Sequence, residues 1–298
     1  MKPKNAAIAW GGPFLFILFW SSGFPITRWG LEFAEPFTIL WVRSALVVFI
    51  MCVYALFIRI PWPGVREVAH IAIVGVTLQC FYLGSMFMAL DGNVSQGLAA
   101  LIAGMQPLLT AAVVGIALLE RVSRLQWVGF IFGFFGLFVV LIERLGIGAA
   151  TTTGIVFSAL TPIFITVASL YQKKYCAHSD LRVVMIVQQT AAGICNFCIA
   201  LVIESGNINW GFEIILVWAW LVFVLTIGAT NIYYLMLRFG NAARVSSLFY
   251  LTPPTTMFLG WITYGEKMGM IALIGFIVSI VGVFLVTRPP KENNGTDS

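Results

Sequence analysis

Residues 107–141, PLLTAAVVGIALLERVSRLQWVGFIFGFFGLFVVL, return 146 residues later as PPTTMFLGWITYGEKMGMIALIGFIVSIVGVFLVT, residues 253–287. Laid over each other without gaps, the two 35-residue segments agree at ten positions. Most of these identities carry little weight, because apolar sequence often matches itself. Four carry more. Pro107, Glu120, Gly129 and Gly136 in the first copy stand where Pro253, Glu266, Gly275 and Gly282 stand in the second. A proline, a glutamate and two glycines at one shared spacing read as a duplicated unit.

The rest of the chain has the composition of an integral membrane protein. Sixty per cent of the 298 residues are apolar and 10% charged, against roughly 25% charged in soluble domains. The charges separate apolar blocks of about 20 residues, enough for a helix to cross ~30 Å of hydrocarbon. Membrane β-strands would alternate over ~10 residues, and the sequence does not. The expected fold is therefore an all-α membrane protein of ten transmembrane helices, near 7–27, 36–58, 67–90, 95–119, 125–143, 153–173, 182–203, 213–237, 244–264 and 270–287. Two repeats of five spans each, 1–145 and 146–288, precede a tail at 289–298 that reads as disordered. The short connections leave no room for a soluble catalytic domain. The apolar run after Lys2 and Lys4 lacks a signal-cleavage site and is expected to stay as the first span.

Lysine and arginine orient the spans. With the N-terminus in the cytoplasm, inside segments hold thirteen basic residues and outside segments three, Arg28, Arg144 and Lys267, with Arg43 left within a span. The positive-inside rule puts both termini in the cytoplasm. The net charge of +5 thus reports sidedness, and no nucleic-acid partner is expected. Five spans per repeat is odd, so the second repeat must enter the bilayer inverted. The link at Asp91 and its counterpart, Arg238 to Arg244, should then face opposite sides. Inverted repeats place a site between the halves that opens to either side as one half rocks against the other.

The stretches FWSSGFPITRWGLEFAEPFTILWVRSALV (19–47) and ALDGNVSQGLAALIAGMQPLLTAAVVGIALLERVSRLQWVGFIFGFFGLFVVL (89–141), with the second copy, resemble EamA-type transporters of the drug/metabolite transporter superfamily. The resemblance covers nearly the whole chain. It implies a ten-helix inverted-repeat carrier in a bacterial inner membrane, often an exporter of amino acids or related metabolites.

Candidate functional residues follow from depth and chemistry. Pro107 and Pro253 lie mid-span, where each deprives a carbonyl four residues earlier, Ala103 or Phe249, of its donor. In lipid such carbonyls are best tolerated facing protein or a wet cavity, so both prolines are expected to line or gate a central path. Pro254 should strengthen the second kink. Trp20, Ser21, Ser22, Gln79, Tyr82, Gln106, Thr161, Thr166, Thr226, Asn231, Tyr234, Tyr250 and Thr252 are uncharged polar or amphipathic groups at mid-membrane depth. A lone Ser or Thr there usually bonds a neighbouring helix. A buried amide or phenol is costlier. Trp20, Ser22, Gln79, Tyr82, Gln106, Asn231, Tyr234 and Tyr250 are accordingly the expected substrate contacts, in a neutral pocket edged by Trp20, Phe81, Tyr82 and Tyr250.

Arg43 has two competing roles, binding a substrate carboxylate or bracing the fold through carbonyls or Glu32 and Glu35. The structural role is the expectation. Glu120 and Glu266 are expected to serve helix N-termini, with Ser123 and Gln126 as a capping box; proton sensing is the alternative. Gly129, Gly133 and Gly136, answered by Gly275, Ser279 and Gly282, form small-residue faces for close packing within one chain or in a homodimer. Cys195 and Cys198 make a CxxC but read as packing thiols, and His70 and His178 as solvated loop residues. No carboxylate lies at mid-membrane depth and no P-loop occurs, which argues against a proton relay and an ATP-driven pump. The reading is a secondary transporter, monomer or homodimer, with lipid and a small-molecule substrate as partners and no cofactor, metal or catalytic residue. The rival is a membrane-embedded receptor.

Overall fold

Long apolar segments can satisfy their backbone groups away from water only by pairing them internally. The computed structural model describes residues 6–58, 60–94, 96–142, 150–264 and 270–287. Among these residues the chain is all-helical, apart from one isolated bridge between Ala34 and Ile208. The helices are α1 (Ala6–Ser21), α2 (Gly23–Gly30), α3 (Pro36–Phe57), α4 (Val65–Gly75), α5 (Leu83–Asp91), α6 (Gln96–Ala103), α7 (Gln106–Leu118) and α8 (Arg124–Ile142). There follow α9 (Thr152–Tyr175), α10 (Leu181–Ile203), α11 (Phe212–Ala219), α12 (Asn231–Phe239), α13 (Ala242–Ser247), α14 (Thr252–Tyr264) and α15 (Met270–Thr287).

Five continuous helical segments are long and apolar enough to cross a membrane: Pro36–Phe57, Val65–Asp91, Thr152–Tyr175, Leu181–Ile203 and Phe212–Phe239. Large side chains such as Phe49, Ile131, Phe135, Leu201 and Phe223 turn outward from them and from α8. This is a multi-pass membrane protein. The calls on Glu266, Lys267, Arg144, the N-terminal lysines and the C-terminal tail lie outside the described residues.

Proline sets the breaks. Pro25 has no N–H for the carbonyl of Ser21, and the chain steps from α1 to α2 there. Thr256 supplies the missing donor, its Oγ1 3.1 Å from Ser21 O. Pro107 likewise abandons the carbonyl of Ala103, where α6 stops; α7 restarts at Gln106 after a turn closed by Met105 N to Ile102 O at 3.0 Å. At the matched place in the second copy, a tighter 3-10 turn, Leu248–Leu251, precedes Pro253. The expected kinks are thus a full interruption in one copy and a tightened turn in the other.

Two wider segments were not foreseen. Val76–Tyr82 joins α4 to α5 as a π-helix, and Trp220–Thr230 joins α11 to α12 in the same way. Shifting the first by 146 residues lands it inside the second. Thr226 and Thr230 donate their hydroxyls to carbonyls five residues back, Leu221 O at 2.8 Å and Leu225 O at 3.1 Å. These bonds serve carbonyls that the wider turn displaces.

The closest helix contact is between α8 and α15. A Cβ added to Gly282 would lie 2.4 Å from the nitrogen of Gly133 and 2.7 Å from the oxygen of Gly129. One added to Gly136 would lie 2.7 Å from Gly275 O. Ser279, fully buried, approaches Gly133 O with its hydroxyl at 3.5 Å. The small-residue faces therefore pack against each other within one chain. The 146-residue offset exchanges the Gly129–Gly282 contact with the Gly136–Gly275 contact and pairs Gly133 with its own counterpart, Ser279.

The connections gather at two ends. At one, Glu204 accepts from Phe37 N at 2.6 Å and Thr38 N at 2.7 Å, and Glu35 accepts from Ser205 N and Gly206 N. Arg28 donates to Leu90 O, and Thr151 N to Gly92 O. At the other, Glu120 pairs with Lys173 at 2.6 Å and accepts from Ala242 N at 3.0 Å, while Arg238 donates to Ala177 O and Ser179 O. Glu120 was expected to serve the N-terminus of its own following helix. It serves α13 instead, because the Ser123–Gln126 box, with reciprocal bonds of 2.9 and 3.2 Å, already occupies the start of α8. His70 is also corrected: it lies on α4, stacks on Tyr175 at 4.7 Å and bonds the Tyr171 hydroxyl at 2.7 Å.

Candidate functional site

Between α2, α5 and the two π-helical segments the helices part around a hollow. Trp20, Phe24 and Thr27 form one wall, Gln79, Tyr82 and Met86 a second, and Leu221, Leu225, Thr226 and Thr230 a third, with Arg43 reaching in from α3. A smaller hollow lies beyond, bounded by Ala103, Gly104, Ile165, Phe249, Thr252 and Pro253. Trp20, Phe24 and Tyr82 border both. These three side chains are the partition between the hollows, and the Trp20 and Tyr82 rings stack at 6.2 Å and 22°.

The two prolines stand differently to the smaller hollow. Pro253 lines it, together with Ala103 and Phe249, the residues whose carbonyls the two prolines leave without a helical donor. Pro107 itself is buried beside it in the chain, at the start of α7. Thr252, also on this wall, keeps a buried hydroxyl with no partner among the described residues.

Five of the sequence-selected groups converge on the larger hollow: Trp20, Gln79, Tyr82, Thr226 and Arg43. Gln79 Oε1 accepts from Arg43 NH2 at 3.0 Å, and its backbone oxygen accepts from Asn196 Nδ2 at 3.4 Å. The expected partners of Arg43, Glu32 and Glu35, do not reach it; Glu35 is taken up by Ser205 and Gly206.

The other candidates stand apart. Ser22 donates to Phe19 O and accepts from Trp220 Nε1 at 2.8 Å, a helix-to-helix tie. Asn231 folds back on Ile227 O at 2.7 Å. Tyr234 donates to Gln188 Oε1 at 2.6 Å, and Gln188 in turn to Gln172. Gln106, fully buried, donates to Thr110 Oγ1 and leaves its Oε1 without a partner among the described residues. Tyr250 lies against Gly133 and Phe130, not the pocket edge, and Phe81 faces outward against Phe164. Thr161 and Thr166 bond carbonyls of their own helix.

Sequence reading passed over Phe24, Thr27, Met86, Leu225 and Thr230, all on the larger wall. A spacing signal existed: Gly23, Phe24 and Thr27 follow Trp20 at three, four and seven residues, which is one helical face. So do Leu83 and Met86 after Gln79.

The sequence model of the EamA-like transporter family matches this chain twice, over residues 7–142 and 152–288. Curated relatives align end to end. The "Uncharacterized inner membrane transporter YedA" of Escherichia coli (strain K12) is 24% identical, covering 96% of this chain and 93% of its own length. The "Probable amino-acid metabolite efflux pump" of the same organism is 21% identical, over 96% and 95%. The "Uncharacterized transporter YdfC" of Bacillus subtilis (strain 168) is 23% identical, over 94% and 91%. One protein crystal structure superposes with a TM-score of 0.75 over 93% of this chain and 95% of its own, at 20% identity, a likeness of fold. The two family matches take in nearly every helix and both copies of the duplicated stretch, and the chain belongs to the EamA-like transporter family.

Proposed function

We propose that the chain is a secondary transporter that carries small amphipathic metabolites across the bacterial inner membrane by alternating access, as an exporter. Amino acids are the first class to try, because relatives named as amino-acid metabolite efflux pumps align over more than 90% of the chain. Ten spans in two inverted repeats, 1–145 and 146–288, with both termini cytoplasmic, give this reading its architecture. The paired family matches, the two π-segments at one offset and the self-exchanging contacts of α8 with α15 support the inversion.

One observation carries the mechanism: two hollows share a thin wall of Trp20, Phe24 and Tyr82. Substrate enters the larger hollow, and the aromatic wall must give way for it to pass toward the prolines. Pro107 and Pro253 interrupt the helices beside the smaller hollow, so α6 and α7 can pivot without breaking a continuous ladder of hydrogen bonds. Ties between the halves at both ends, Glu35 with Ser205 and Glu120 with Lys173, then open in turn.

Counterflow in proteoliposomes with a panel of labelled amino acids and related metabolites tests the function. Saturable flux is expected for at least one. Monodisperse protein that gives none, while ligands raise its melting temperature, would instead identify a receptor. Cysteines placed at Asp91 and Arg238 should label from opposite sides.

A further inference from the structure

Arg43 is 2% exposed in the wall of the larger hollow. A guanidinium carries five donors and keeps its charge at any physiological pH. Among the described residues the structure gives it one hydrogen bond, to Gln79 Oε1, and its buried Nε has no partner. Gln79 offers a dipole and no countercharge. No aspartate or glutamate lines the hollow. Of the carboxylates flanking α3, Glu35 is engaged by Ser205 and Glu204 by Phe37 and Thr38. A buried charge left without a counter-ion is strongly unfavourable. Thr27 lines the same hollow at 1% exposure, and its hydroxyl too has no partner. Thr226 and Thr230, by contrast, have spent theirs on Leu221 and Leu225. Trp20 and Tyr82 add an indole N–H and a phenol hydroxyl, and what remains of the wall is apolar: Phe24, Leu78, Met86, Phe87 and Leu225 among others.

We propose that the larger hollow takes an amphipathic monocarboxylate, with its carboxylate on Arg43 and Thr27 and its apolar body against Phe24, Met86, Phe87 and Leu225. A carboxylate supplies the acceptors and the countercharge that the wall lacks, in the charge-assisted geometry a guanidinium favours. An amino group on the same molecule meets no acidic side chain, so recognition depends on the carboxylate, and amino acids are one subset of the class. The inference rests on the transporter reading only in taking this hollow as the substrate site.

The test uses the purified full chain and a set of aliphatic and aromatic monocarboxylates of graded size, each paired with its primary amide. 3-Phenylpropionate and 3-phenylpropionamide are one such pair, equal in shape and different in charge. Thermal stabilisation in detergent should favour the best carboxylate over its amide at least tenfold in apparent affinity. Arg43→Gln should bring the pair to parity. Arg43→Lys should keep the preference with weaker binding, since it retains charge without the planar fork. If Arg43→Gln is not recovered folded, the wild-type pairs and Arg43→Lys decide. No carboxylate preferred over its amide in the wild type, or a preference that survives Arg43→Gln, overturns the proposal. Counterflow on the same preparations separates the two readings. Arg43-dependent binding without flux would keep this site and remove the transport function. Saturable flux of a neutral or cationic solute, unchanged in Arg43→Gln, would do the reverse.

Discussion

Helices α8 and α15 touch backbone to backbone, whereas α5, α2 and the π-segment Trp220–Thr230 stand apart around the larger hollow. Both regions are built from apolar helices, and within a membrane neither gains from hiding apolar surface, because lipid is as apolar as the partner helix. Contact quality decides instead. Along the seam, Gly129, Gly133, Gly136, Gly275, Ser279 and Gly282 present almost nothing beyond the main chain, so the two helices settle together. Around the hollow the inward groups include Trp20, Phe24, Met86 and Phe87, large side chains that hold the backbones apart. The π-turns add to this. Each widens the helix and turns the residues beyond it by a fraction of a turn, and π-segments are frequent where a helix serves a site. The molecule therefore has a line of backbone contact and, beside it, a region held open by large side chains.

The seam should be the least forgiving place in the chain. Gly282→Ala puts a methyl group 2.4 Å from the nitrogen of Gly133, against backbone that has no rotamer to move. Overpacking of this kind typically costs about 1–3 kcal/mol, and Gly282→Leu should exceed that and leave little monodisperse protein. Gly64→Ala is the control, since an added Cβ there meets nothing within 4 Å. Melting temperatures in detergent would show the ranking. A Gly282→Ala protein as stable as Gly64→Ala would mean that the close approach of α8 and α15 is not holding the fold.

The hollow should behave in the opposite way. Leu225→Phe adds bulk to the wall shared with Gln79 and Tyr82, against side chains that can turn rather than against backbone, so stability should fall by less than for Gly282→Ala. Counterflow should fall at least tenfold because the substrate's place is taken. Loss of stability equal to that of Gly282→Ala would erase the contrast between the two regions. Unchanged flux would show that solute does not pass there.

The seam was legible in sequence and the hollow only in outline, and the reason is physical. A glycine permits close approach on whichever side it faces, so the repeated spacing at 129, 133 and 136 was enough to anticipate tight packing. The helices themselves were legible because an apolar block in lipid has almost no alternative to coiling. Pro107 and Pro253 marked their interruptions through the hydrogen bond a proline cannot make. A π-turn leaves no such mark. It inserts one residue into the ladder, and Thr226 and Thr230 reveal it only once their hydroxyls are seen reaching five residues back. Depth along the normal can be counted along the chain, but rotation about a helix axis downstream of a π-turn cannot. Hence Gln79 and Tyr82 lie on the wall, while Asn231 and Tyr234, chosen on the same grounds, turn to Ile227 and Gln188. For Arg43 the sequence offers backbone carbonyls, or the loop that carries Glu32 and Glu35, as structural partners. Glu35 was instead recruited by backbone N–H groups at Ser205 and Gly206.

The contact between Glu120 and Lys173 offers the smallest test, and it asks whether the seam alone holds the halves together. Both side chains are 17% exposed, so part of their attraction is screened, and such pairs contribute about 0–1 kcal/mol. Glu120→Gln removes the charge yet keeps an oxygen that can accept from Ala242 N, now 3.0 Å away. Stability should therefore drop by no more than about 1 kcal/mol, well short of the loss expected for Gly282→Ala. If this tie must open once in every cycle while α8 and α15 stay joined, weakening it lowers the barrier to opening, and 1 kcal/mol corresponds to about a fivefold rise in rate. Counterflow in Glu120→Gln should then rise toward that limit. Flux that falls in step with stability would mean that Glu120 belongs to the fixed part of the molecule, and that the boundary between hinge and moving body lies nearer the hollow than the glycine seam suggests.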